Sequence, residues 1–123
     1  MTASPNPPLE ISMIMLGVEN LSKSVAFYRD VMSLELRNQT DEFAFFAAGP
    51  ISLVLSAPLG HSIRPRAGAL EVIFPVKSVQ DARDRLVQKG RTFTQEPHHV
   101  TGESWAASIA DPDGHLLTLF GPK

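Results

Sequence analysis

The chain carries a weak internal repeat. Ile14-x-Leu16-x-Val18-x-Asn20-Leu21 returns, at a constant offset of 58 residues, as Val72-x-Phe74-x-Val76-x-Ser78-Val79. Each copy alternates apolar and variable residues as a strand does, then offers a polar residue able to cap a helix. Each copy is also followed by the same succession of elements. After Ile11–Val18, a helix is expected from Leu21 to Met32, then strands over Leu34–Asn38, Glu42–Ala48 and Ile51–Ala57, with Gly49-Pro50 as a turn. After Ala69–Val76, Ser78 caps a helix to Lys89, with Asp81 in the capping-box place and Gly90 as its stop. Strands Thr92–Glu96, Ser104–Ala110 and His115–Phe120 follow. Pro97–Glu103 reads as a loop and Asp111-Pro-Asp-Gly114 as a turn. A βαβββ unit leaves one sheet face without a helix, so two such units must join. The repeat therefore predicts an α+β fold of two tandem βαβββ modules, an open, curved, eight-stranded mixed sheet around a cavity.

The boundaries follow from the punctuation. Residues 1–8, with three prolines, read as a disordered leader, and residues 9–123 as one domain. Module one covers about 9–57, a surface linker 58–67 and module two about 68–123. At 123 residues the chain is long enough for a core of its own. It has no cysteine, which excludes disulfides, zinc-thiolate sites and thiol nucleophiles. Its net charge of −2 supplies no basic excess for nucleic acid. Its apolar runs are strand-length, too short for a membrane span, and its start is unlike a secretory signal, so the expected location is cytoplasmic.

Three segments carry a family resemblance. Val18-Glu-Asn-Leu21 with Ser24-Val-Ala-Phe-Tyr-Arg-Asp-Val31 is similar to a helix signature ending in FYxDVLGL, here with Met32-Ser33-Leu34 in place of LGL. Val76-x-Ser78-Val79 with Leu86 and Gly90 repeats it. Asp111-Pro-Asp-Gly-His-Leu-Leu-Thr-Leu119 resembles a DPDGNxIEL ending. Together they resemble the vicinal oxygen chelate superfamily, which includes glyoxalase I, extradiol dioxygenases, and fosfomycin- and bleomycin-resistance proteins. The resemblance implies a homodimer and, in metal-dependent members, four ligands from four strands. Carried over, those positions are Met13, Val54, Glu71 and Thr118. Of these only Glu71 is a good ligand for a divalent cation, and a catalytic site usually has about three protein ligands. No cofactor is therefore expected, a weakly held divalent metal being the alternative. In this respect the chain is nearest to the metal-free bleomycin-resistance-like members.

Strand alternation assigns the cavity face. Met13 and Met15, Ser52 and Val54, Glu71 and Ile73, and Thr118 and Phe120 should line it, with Trp105 beside a flexible rim loop. The methionines otherwise fill core, Glu71 otherwise pairs with Arg64 or Arg66, and Trp105 otherwise packs at a dimer contact. A mainly apolar hollow with a few hydroxyls and one acid suits an organic molecule. The first functional reading is a small-molecule binding protein without the family's metal site. The second is a lyase, isomerase or dioxygenase that uses a displaced metal or Glu71 as general base, with His98 or His99 recruited from the loop. Tyr28 reads as core and His115 as a turn residue.

Overall fold

A computed structural model describes residue 8, residues 10–63 and residues 70–123. The leader, apart from Pro8, falls outside the described residues, and so do Arg64 and Arg66.

Module one runs β1 (Met13–Gly17), α1 (Leu21–Ala26), β2 (Leu36–Gln39), β3 (Phe43–Ala48) and β4 (Ile51–Ser56). Asn20 caps α1, its side chain accepting from the Lys23 amide at 3.0 Å. The expected single helix is not uniform. From Phe27 to Val31 it widens into a π-helical turn, and Met32 N–H bonds five residues back to the Phe27 carbonyl. Ser33 follows at φ 61°, the left-handed conformation normally left to glycine. Module two runs β5 (Glu71–Pro75), α3 (Val79–Gln88), β6 (Gln95–Thr101), β7 (Ser104–Ala110) and β8 (Leu116–Gly121). Ser78 caps α3 by accepting from Asp81 N–H.

The strands lie in two mixed four-stranded sheets, ordered β1-β4-β3-β2 and β5-β8-β7-β6. In both, the first strand pairs in parallel with the last and the other pairs are antiparallel. The α+β class and the tandem modules are as the repeat predicts, with the eight strands divided four and four.

Two segments differ from the sequence reading. The linker contains a helix, α2 (Ala57–Ile63). It starts directly after β4, where Ser56 Oγ accepts from Leu59 N–H, and it lies against the end of β1. At Gly60 the approach leaves no room for a side chain, since a Cβ there would sit 2.2 Å from the Val18 carbonyl oxygen. The second difference is β6, which occupies most of the expected loop. Its ladder to β7 shifts register between Gln95 and His98 and again between His99 and Thr101, and bulges of this kind accommodate Pro97 on an edge strand. Gly102, at φ 53°, makes the turn into β7.

One core joins the modules. Leu16, Phe46 and Leu55 from the first sheet pack in the same cluster as Ile109, Leu117 and Leu119 from the second. A polar latch crosses the same boundary. The Tyr28 hydroxyl donates to Asp111 Oδ2 at 2.7 Å. Asp111 Oδ1 in turn accepts from the amides of Asp113 and His115. Asp113 accepts from the Glu19 amide and the Ser24 hydroxyl, and His115 Nε2 reaches the Gly17 carbonyl at 2.8 Å. Burial, then the adjacent Asp111 carboxylate, pushes the Tyr28 phenol far above its ordinary range, so it stays a neutral donor. The Asp-Pro-Asp-Gly turn is thus a clamp on module one as well as a reversal between β7 and β8.

Candidate functional site

The ladders fix which side chains share a face. In the first sheet Met13 stands opposite Ser52 and Met15 opposite Val54. Phe45 stands opposite Val54 and Phe43 opposite Ser56. In the second sheet Ile73 pairs with Thr118, Glu71 with Leu116 and Pro75 with Phe120. Ser108 pairs with Thr118. These residues form the faces turned away from the shared core. Val54, Ser108 and Thr118 are buried at the sheet centres. Met13, Met15 and Ile73 stay 46%, 40% and 56% exposed.

The four family positions offer little to a metal. Met13 offers an exposed thioether and Val54 only hydrocarbon. Glu71 and Thr118 are engaged with each other, the Thr118 hydroxyl donating to Glu71 Oε1. Among the described residues no group of three or more His, Asp or Glu side chains is placed to hold an ion. One carboxylate and one hydroxyl do not fit the divalent metal of metal-dependent members.

What the site holds instead is a hydrogen-bond chain. Ser108 Oγ and Thr118 Oγ1 are 2.8 Å apart. Thr118 has one proton, and it goes to the carboxylate. Ser108 must therefore donate to Thr118, and both hydroxyls are polarised toward Glu71. Glu71 is exposed at the start of β5, and among the described residues Oε2 has no further partner. Beside it runs a cleft of about 660 Å³. β5 forms one wall, and Ile14, Leu34, Leu53 and the β3–β4 turn at Ala47–Ile51 form the other, so of the residues expected in the cavity only Glu71 and Ile73 line this cleft. Its volume is within the range of small-molecule sites and its lining is mainly apolar.

Ser108 and the Phe43–Phe45 pair were not among the residues singled out from sequence. The signal was available in the alternation of Ala106, Ser108 and Ala110, and of Phe43 and Phe45, but only once the register was known. Trp105 does not join the group. It stands opposite Gly121 and shares the other face of β7 with Ala107 and Ile109, packed against the core. Lys123 Nζ sits 4.8 Å from its ring centroid, and the His99 ring meets it edge-on. His98 stands opposite Ala106, on the face that carries Ser108, but its Nδ1 is bonded locally to the Glu96 carbonyl. His99 bonds to the Gly102 carbonyl within its own hairpin.

Comparison with known proteins agrees with this architecture. The family model described as Glyoxalase/Bleomycin resistance protein/Dioxygenase superfamily matches residues 10–119. A lactoylglutathione lyase of Salmonella typhimurium is 28% identical over 121 residues, covering 89% of this chain and 90% of its own length. The crystal structure of a lactoylglutathione lyase from Agrobacterium tumefaciens superposes with a TM-score of 0.76 at 25% identity, over 94% of this chain and 95% of that one. A glyoxalase/bleomycin resistance protein/dioxygenase from Nocardioides reaches 0.80 at 21% identity, over 95% and 85%.

Proposed function

Because the chain belongs to the glyoxalase/bleomycin resistance protein/dioxygenase superfamily, yet its side chains do not fit the family's metal, we propose that it binds a small organic molecule without a metal. The observation that carries this reading is the Glu71 carboxylate, held by Thr118, which Ser108 bonds in turn, at the mouth of an apolar cleft of about 660 Å³. A pre-oriented acceptor beside apolar surface selects a ligand with apolar bulk and a cationic or hydrogen-bond-donating group. The exposure of Met13, Met15 and Ile73 further supports a homodimer in which a second copy covers these faces.

The test is a screen of small cationic and neutral aromatics by calorimetry. Cationic hits should bind saturably, and Glu71→Gln should weaken them by about 1–3 kcal/mol, the scale of a lost charged hydrogen bond. A cationic hit bound equally well by the parent and the variant removes Glu71 from the site. Sedimentation should give a dimer, and a 13.4 kDa species at micromolar protein counts against the covering copy.

The similarity to lactoylglutathione lyases favours one specific alternative, a lyase working through Glu71 as base. Conversion of lactoylglutathione with added zinc or nickel should stay at background. Turnover that disappears in Glu71→Gln establishes the enzyme instead.

A further inference from the structure

A second cleft, of about 350 Å³, opens on the helix side where the π-helical turn of module one meets α3. Leu86 and Leu119 are buried beneath it, and half-buried Met32, Phe74 and Val76 form its walls. Its charged lining residues are Arg85 and Lys89, and no acid lines it. The two cations are held differently. Lys89 Nζ donates to the carbonyls of Asp30 and Val31 and to Ser33 Oγ, at 3.1–3.2 Å. That uses all three of its protons and fixes the ammonium above the cleft. Ser33 supplies its hydroxyl from a left-handed backbone at φ 61°. Glycine would sit there with less strain but could not hold the lysine. The Arg85 guanidinium, by contrast, makes no hydrogen bond or ion pair among the described residues, whereas its neighbour Arg83 is paired with Asp84 and Glu96. An unengaged fork beside a fixed positive charge, over an apolar floor, matches an anion with a hydrocarbon body.

We propose that this cleft is a second binding site, for small amphipathic anions such as medium-chain or aryl carboxylates. Arg85 takes the carboxylate as a two-pronged donor, Lys89 contributes a fixed field, and the hydrocarbon lies against Phe74, Leu86 and Leu119. The site does not include Glu71, though Phe74 and Pro75 border both clefts, and its charge preference is opposite, so it does not rest on the metal-free reading above.

The probe is octanoate, with octylammonium as the charge-reversed control, titrated into the full chain by calorimetry and by amide chemical shifts. Octanoate should bind saturably, with the largest shifts at Ser33, Val76, Arg85 and Lys89. Arg85→Gln should weaken it at least about fivefold, as expected for losing a charged hydrogen-bond partner in a partly exposed site. Arg85 is exposed, and its unpaired guanidinium can be removed without breaking an internal bond, so the variant should keep the fold. Glu71→Gln should leave octanoate affinity unchanged. The proposal is overturned by octanoate binding that is unsaturable, by equal affinity in Arg85→Gln, by equal binding of octylammonium at the same amides, or by shifts that cluster on Glu71 and Thr118 instead.

Discussion

Replacing Tyr28 by Phe removes one oxygen from the boundary between the modules and leaves the ring packing in place. Tyr28 is 0% exposed and its ring lies edge-on to Phe27, with centroids 5.2 Å apart. The oxygen donates to Asp111, which is itself buried. In the variant Asp111 Oδ1 keeps the amides of Asp113 and His115, while Oδ2 loses its hydroxyl donor inside the protein. A hydrogen bond to a charged group is worth about 1.5–3 kcal/mol, so about 2 kcal/mol is the expected loss. For a chain of this length the entropy of unfolding near Tm converts that to a fall of roughly 8 °C. Calorimetric or circular dichroism melts of both proteins, at equal concentration and neutral pH, measure it. A fall below about 2 °C would mean that the bond is nearly neutral and that the shared apolar core alone joins the modules.

Tyr28 is the sole tyrosine, which also makes alkaline behaviour readable. Its phenol is raised by burial and by Asp111, so its contribution is full below the ordinary value of about 10 and falls above it at up to about 1.4 kcal/mol per pH unit, as only the unfolded chain releases the proton. Tyr28→Phe should lack that difference in slope, and in the parent phenolate absorbance should appear only together with unfolding. Gly60→Ala must push α2 away from the Val18 backbone, and by the usual scale of overpacking should lose about 1–3 kcal/mol in urea unfolding. An unchanged midpoint would show that α2 can shift freely. Arg83→Ala removes a two-pronged contact to Glu96 that ties α3 to β6. Because these groups are largely at the surface, the loss should be small and should shrink in high salt. A larger, salt-independent loss would point to packing of the arginine stem.

The strand–cap–helix repeat was legible because backbone alternation and capping are local. Ile14, Leu16 and Val18 against Met13 and Met15 needed only a period of two, and Asn20 and Ser78 bond to amides three residues on. The Glu71–Thr118 contact was within reach for a related reason, since both positions came from the family pattern and lie on adjacent strands. What escaped the sequence depends on register or on the partner module. Ser108 matters because it stands opposite Thr118, a fact set by the β7–β8 ladder. Trp105 falls on the core face because His99, Trp105 and Gly121 align across three strands. The strand through His98 and His99 has a proline and two register shifts, which erase the alternation that marks a strand. The helix Ala57–Ile63 contains Pro58 and Gly60, both ordinary breakers, and is held by contact with β1 rather than by propensity.

The parallel pairing of first and last strands sets an order of events during synthesis. β1 finds its neighbour as soon as Ser56 has been made, so module one can close its sheet while most of module two is still unmade. β5 has a harder path. Its hydrogen-bonded neighbour is β8, and Ile73 meets Thr118 only near the end of the chain. Until then Glu71–Pro75 is an apolar strand with two bare edges, the kind of segment that pairs with strangers. Pro75, which has no amide proton, and the charge of Glu71 at the other end make that strand a poor template in the interval. When β8 emerges it brings Thr118 to Glu71 and follows the Asp111 turn that engages Tyr28. The hydroxyl–carboxylate site and the pairing that closes the second sheet are therefore completed by one late strand, and a nascent chain stalled before Leu116 would have neither.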